Sequence, residues 1–174
     1  SKVEAIISKF LNVKYCTMLP SGTTALLVGM MALGLKKNDL ILIPERSWIS
    51  VLNAAAILGL KIKTIDVKKN SPVMDEKELL RVKTKPKAIV VAHMGGRAAN
   101  MKIIKSFAKK RNIKIIEDAA QALGSKYMNK NLGTLSDVGC FSLSMAKTLT
   151  SGQGGFIVTN NKNLWSSKQL AKIF

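Results

Sequence analysis

The chain has 174 residues, 47% of them apolar, which is enough for one domain with a sizeable core and too few for two. It has no run of about 18 apolar residues to span a bilayer, its start at Ser1-Lys2-Val3-Glu4-Ala5 lacks a signal-peptide layout, and Cys16 and Cys140 stand far apart with no companion histidines; a cytoplasmic protein without membrane partner, zinc site or disulfide framework is expected. The formal charge of +18 is almost all lysine, with arginine only at Arg46, Arg81, Arg97 and Arg111 and few aromatics for stacking, so no nucleic-acid partner is expected, and the basic field reads as a solvated surface that can also attract an anionic substrate.

Along the chain, short β-branched runs alternate with helical patterns, the signature of a mostly parallel sheet covered by helices on both faces. An amphipathic stretch, Val3 to Phe10, comes first, then a short apolar run, then Pro20-Ser21-Gly22-Thr23-Thr24-Ala25-Leu26, which opens a helix over Ser21 to Leu33. Strands are expected at Leu40 to Ile43, Lys61 to Ile65, Ala88 to Ala92, Lys114 to Glu117, Val138 to Ser142 and Gly155 to Thr159. Further helices are expected at Ile49 to Leu58, Asp75 to Val82 and Met101 to Lys110, and another just before Lys172-Ile173-Phe174. Met101, Ile104, Phe107 and Ala108 share one face of theirs, with lysines largely elsewhere. Asp75 and Glu78 have the spacing of an acidic capping box, and Asn100 can cap the next helix. The expected fold is a single α/β domain with three α/β/α layers.

Several motifs fall where such a sheet binds ligands, just past the carboxyl ends of its strands. At Ser21-Gly22-Thr23, glycine lets the backbone approach a ligand, and free N–H groups with the helix dipole form an anion site; an ordinary serine cap reads equally well. Trp48 follows a strand, where it could stack on a flat ligand or belong to the core. Asp118 follows an apolar strand and needs a buried partner, which could be a protonated ring nitrogen or the N–H groups of a short helix. Gln121 could reach a ring oxygen on the same ligand, while Glu117 reads as facing structure or a neighbour. Ser142 ends a strand five residues before Lys147, whose apolar neighbours Met145 and Ala146 could desolvate its amine and favour the neutral nucleophile. His93, the single histidine, supports no metal site and is either structural or near the substrate.

Read together, these residues describe a pocket for pyridoxal 5'-phosphate. A lysine can hold its aldehyde as a Schiff base, a carboxylate can keep the pyridine nitrogen protonated, and serine with glycine-rich backbone can bind the phosphate. A dinucleotide-binding fold is disfavoured, because the first strand-helix turn has no Gly-x-Gly-x-x-Gly.

The segments Ser21 to Leu26, Pro44 to Asn53, Ile65-Asp66-Val67, His93 to Met101, Ile116 to Gly124 and Cys140 to Asn160 resemble, in order and spacing, the DegT/DnrJ-type sugar aminotransferases, pyridoxal-phosphate enzymes of the aspartate-aminotransferase fold. The resemblance implies that residues 1–174 form the large domain of that fold, as a fragment lacking the N-terminal start and a C-terminal small domain. It implies Lys147 as the Schiff-base lysine, Asp118 as the pyridine-nitrogen partner, Gln121 near the ring hydroxyl, Trp48 on the ring, and Gly22, Thr23 and Ser142 on the phosphate. The implied reaction moves an amino group from an amino acid, usually glutamate, to a nucleotide-linked keto-sugar for amino-sugar and polysaccharide biosynthesis, within a homodimer when full length. Some relatives carry histidine in place of the lysine and dehydrate instead, so Lys147 favours transamination. Amination of a cyclitol or other ring ketone, and a non-catalytic regulator on the same scaffold, are the alternatives. Leu123 departs from the pattern, standing where many relatives have histidine, on what would be the substrate side.

Overall fold

A computed structural model describes residues 1–166. In chain order the elements are α1 (Lys2–Leu11), β1 (Tyr15–Leu19), α2 (Gly22–Ala32), β2 (Leu40–Pro44), α3 (Ile49–Ile57), β3 (Lys61–Ile65), α4 (Glu76–Leu80), β4 (Ala88–Ala92), α5 (Met101–Arg111), β5 (Lys114–Asp118), β6 (Lys126–Tyr127), β7 (Lys130–Asn131), β8 (Val138–Ser142), β9 (Gly155–Thr159) and α6 (Lys162–Trp165). The part of the chain just before Lys172, where another helix is expected, lies outside the described residues.

Seven strands form one sheet in the order β1-β9-β8-β5-β4-β2-β3. Neighbours from β8 through β3 pair in parallel, and β9 alone runs against both β8 and β1. Both faces are covered, as an α/β sheet with helical crossovers requires. The alternation of side chains shows it: Leu42, Ile89, Val91, Phe156 and Val158 pack with Leu11, Leu79, Met101 and Phe107 on one side. Ile41, Ile43, Ala88, Val90 and Ile157 pack with Ala25, Val28, Val51 and Ala54 on the other. Thus α1, α4 and α5 cover one face, and α2 and α3 the second.

Helix α2 is apolar nearly all round because it is sandwiched, with Ala25, Leu26, Val28, Gly29, Met30 and Ala32 all buried. A Cβ on Gly29 would lie 3.1 Å from Cys140 Sγ, so glycine lets the helix press onto β8. Phe141 and Phe156, paired across β8 and β9, stack with centroids 4.5 Å apart. That register sets Ser142 opposite Gly155.

Local signals act largely as expected. Asn100 Oδ1 accepts from the Ile103 N–H and caps α5, and Asp75 caps α4. The expected acidic capping box at Asp75 does not close, because Glu78 pairs with Arg81 one turn along its own helix. Two pieces were not anticipated. The first is β1 as a strand, whose partner β9 lies almost at the far end of the described chain. The second is the hairpin β6-β7, which turns through Met128 (φ 48°) and Asn129 (φ 63°) without the Asn-Gly pair that usually marks such a turn.

Candidate functional site

The parallel strands deliver their carboxyl ends to one edge, and the residues just beyond them surround a pocket of about 400 Å³. Its wall includes Gly22 and Thr23 from the start of α2, Trp48 from the β2-α3 connection, Ser50 from the first turn of α3, and His93 just past β4. Asp118 and Gln121 come from the end of β5 and the turn after it, and Ser142 and Lys147 from the end of β8 and its following loop. All seven residues singled out from the sequence therefore meet in one cavity.

One end of the pocket is an anion cradle. Ser21 Oγ caps α2 by accepting from the Thr24 N–H at 3.1 Å, so the serine-cap reading is correct for Ser21 itself. The Gly22 and Thr23 N–H groups lie in the first turn, where a helix offers them no internal acceptor. Close packing fixes this loop. A Cβ on Gly22 would sit 2.8 Å from Ser142 Cβ, and one on Gly155 would sit 2.4 Å from the Ser21 carbonyl carbon. The β8-β9 pair thus forms the floor on which the helix start rests. Thr23 and Ser50 share a hydroxyl hydrogen bond of 2.7 Å that ties α2 to α3 at the rim.

The opposite end carries the acid. Asp118 is 6% exposed, and burial pushes its carboxyl pKa up, with the hydrogen bond from the Ala120 N–H the main opposing influence. Among the described residues its side chain receives one hydrogen bond, from the Ala120 N–H at 3.1 Å. The capping role expected as an alternative is therefore real, yet it leaves the carboxyl undersupplied for its burial. A protonated ring nitrogen in the pocket would complete it.

Lys147 stands at the mouth, its Nζ 5.7 Å from the centroid of the Trp48 ring. Met145 and Ala146, expected to desolvate it, do not turn inward: Met145 is 81% exposed and Ala146 is an exposed residue of the pocket wall. Its environment is set by Trp48 and the pocket. Trp48 is itself 60% exposed and belongs to the rim, not to the core.

Gln121 Oε1 accepts from the Gly95 N–H at 2.7 Å. Leu123 is half-buried, packs against the core cluster that includes α5, and is not among the residues of the pocket wall. Glu117 faces structure, as its sequence context suggested; it is fully buried and accepts from Gly133, Leu135, Ser136 and His93. Reading the sequence missed the Ser50 contact and the Glu117-His93 pair, because neither hydroxyl nor acid stands in a motif that signals a partner so distant.

The donor set suits a flat, phosphorylated ligand with an aldehyde and a basic ring nitrogen: N–H groups and hydroxyls at one end, a buried carboxyl at the other, an amine and an indole at the mouth. No cluster of three or more potential metal ligands occurs among the described residues, and none of the described helices is long and apolar enough to cross a membrane.

The model of the DegT/DnrJ/EryC1/StrS aminotransferase family matches residues 1–173. The chain is 36% identical over 155 residues to GDP-perosamine synthase of Escherichia coli O157:H7, covering 88% of the chain and 43% of that protein. It is 37% identical over 173 residues to UDP-4-amino-4,6-dideoxy-N-acetyl-beta-L-altrosamine transaminase of Campylobacter jejuni, covering 97% of the chain and 46% of that protein. Among solved structures, the aminotransferase from Psychrobacter cryohalolentis superposes with a TM-score of 0.93 at 29% identity, over 98% of this chain and 43% of that one. The chain thus spans less than half the length of these relatives.

Proposed function

We propose, from the premise that the chain belongs to the DegT/DnrJ/EryC1/StrS aminotransferase family, that it is the large domain of a pyridoxal-phosphate-dependent sugar aminotransferase. The amino group passes from an amino acid, glutamate in this reading, to a nucleotide-linked keto-sugar. The observation that carries the reading is the shared pocket of Lys147 and the buried, undersupplied Asp118 carboxyl, with the α2 anion cradle at its other end. A functional unit built from two copies of the longer protein, acting in the cytoplasm, goes with this reading.

When bound, pyridoxal phosphate supplies an aldehyde for covalent capture of amines and a ring that withdraws electrons. The rest is the work of this chain. Gly22, Thr23 and Ser142 anchor the phosphate at the start of α2. Asp118 would hold a proton on the ring nitrogen and gain a partner for its carboxylate. Trp48 would offer the ring a flat apolar surface at the rim. Lys147 Nζ would be the amine that holds the aldehyde and the base available to move a proton at the amino-bearing carbon. The lysine-rich surface favours the approach of the sugar's anionic nucleotide portion.

Borohydride reduction in the presence of pyridoxal phosphate, followed by peptide mass spectrometry, tests this reading. Of the 24 lysines (28 Lys+Arg less four Arg), Lys147 should carry the phosphopyridoxyl mass, and Lys147→Ala should abolish it. Label scattered over surface lysines would reject the site. Assay of nucleotide-linked keto-sugars beside cyclitol ketones, with glutamate as donor, then decides the substrate class.

A further inference from the structure

Three of the four buried polar or charged residues among those described, His93, Glu117 and Asp118, gather at the carboxyl ends of β4 and β5. Asp118 serves the pocket. The other two have no role in the chemistry above, although each is at most 1% exposed, and burying an imidazole against a carboxylate is costly unless both are fully bonded.

They are fully bonded. Glu117 Oε1 accepts from the Leu135 N–H at 2.7 Å and the Ser136 hydroxyl at 2.8 Å. Oε2 accepts from the Gly133 N–H at 2.8 Å and His93 Nε2 at 3.0 Å. The second ring nitrogen of His93, Nδ1, accepts from the Ala99 N–H at 3.4 Å. An acceptor at Nδ1 has no hydrogen, so the ring hydrogen is on Nε2, facing Glu117. The backbone of His93 is held as well, its N–H donating to Asp118 O and its carbonyl accepting from the Gly96 N–H. His93 is thereby fixed at four points.

The 3-10 turn Met94–Gly96 starts from this fixed residue. Gly95 and Gly96 adopt φ of 60° and 73°, which suits glycine, and a Cβ on Gly96 would lie 2.8 Å from Ser125 Oγ, so the turn passes close against Ser125. Its outcome is the hydrogen bond from the Gly95 N–H to Gln121 Oε1. With its oxygen occupied by backbone, the Gln121 amide is left its NH₂ end to offer to the pocket it lines. A donor there suits an anionic ring oxygen, whereas the flipped amide would oppose it with a carbonyl.

We propose that His93, locked by Glu117 as the Nε2–H tautomer, is a positioning residue that holds the Gln121 amide donor-first in the pocket. The inference rests on the pyridoxal-phosphate reading. It does not depend on which sugar is used.

Two measurements on the 174-residue chain test it. The imidazole is the chain's single one, so a long-range ¹H–¹⁵N spectrum of the unsubstituted protein reports its tautomer without assignment: Nε2–H is expected, and Nδ1–H would overturn the proposal whatever the variants do. Dissociation constants for pyridoxal phosphate then follow from visible-absorbance titration. His93→Asn keeps an acceptor near Nδ1 and loses the donor to Glu117, and Gln121→Leu removes the amide. Each should weaken binding about tenfold, the effect of one hydrogen bond to a charged group. The double variant should be no weaker than Gln121→Leu alone, because both act through one contact. His93→Gln, which restores a donor near Nε2, should return to within about threefold of the parent protein. Losses that multiply in the double variant, or native affinity in His93→Asn, would overturn the positioning role while leaving the functional reading intact. An unsubstituted chain that binds no pyridoxal phosphate at all would overturn both, and the absence of any Lys147 label distinguishes that case.

Discussion

Glu117 and Asp118 are consecutive acids at the end of the same strand, and they lead opposite lives. Side chains alternate across a strand, so Glu117 enters the layer beneath α5 and the loop 132–136, while Asp118 enters the pocket beside α2. The first carboxyl collects four hydrogen bonds and the second collects one. Burial alone therefore does not mark a binding group; a mostly buried carboxyl whose spare acceptor capacity opens into a pocket does.

The sharpest break in this comparison comes from the pocket side. Lys147→Ala should reduce amino transfer below detection in the longer protein, with melting temperature unchanged, since Lys147 is half-buried and bears no structural hydrogen bond from its side chain among the described residues. Asp118→Asn keeps an acceptor for the Ala120 N–H but loses the charge. It should weaken pyridoxal phosphate binding about 30-fold or more, from the roughly 2 kcal/mol lower bound for removing one partner of a buried charged pair. The same change should stabilise the cofactor-free chain at neutral pH. A carboxyl whose pKa is raised on folding contributes stability that is complete below its unfolded pKa and lost as pH rises through the folded one. The melting-temperature gap between Asp118→Asn and parent should thus widen from about pH 4 upward; a gap of the opposite sign would mean that the carboxyl is already well partnered.

Glu117→Gln should do the reverse on stability. An amide would turn a donor toward two of the four donors, costing about 3 kcal/mol in urea denaturation, with labelling at Lys147 retained wherever the protein is folded. Gly22→Ala is subtler. The added methyl meets Ser142 Cβ at 2.8 Å, and phosphate competition for the cradle should fall about fivefold, as expected for roughly 1 kcal/mol of misplacement. Leu123→His, away from the pocket wall, should change cofactor affinity less than about twofold and act on stability instead.

The sequence made the pocket legible because its parts follow strand ends, and strand ends in a parallel sheet converge. β2, β3, β4, β5, β8 and β9 were readable from β-branched runs, and α2, α3, α4 and α5 from length, capping and periodicity, with boundaries shifting by a residue or two. β1 was not, because Tyr15-Cys16-Thr17-Met18-Leu19 gains its strand character from pairing with β9, a contact that no local pattern encodes. The β6-β7 hairpin was missed for the opposite reason: Met128 adopts a left-handed backbone that its side chain does not advertise. Lys147 was found, but its surroundings were misread, since flanking apolar residues in a loop need not turn inward.

The pairing of β1 with β9 also bears on how the protein comes to exist. The anion cradle begins one residue after β1 ends, yet its floor, Gly155 against Ser21, arrives only when the chain has been made almost to the end of its described length. Contacts so distant in sequence form late. A ribosome-bound chain stopped before Gly155 therefore carries Lys147 and Asp118 but no seat for a phosphate, so cofactor capture is a step that synthesis order defers until the sheet closes.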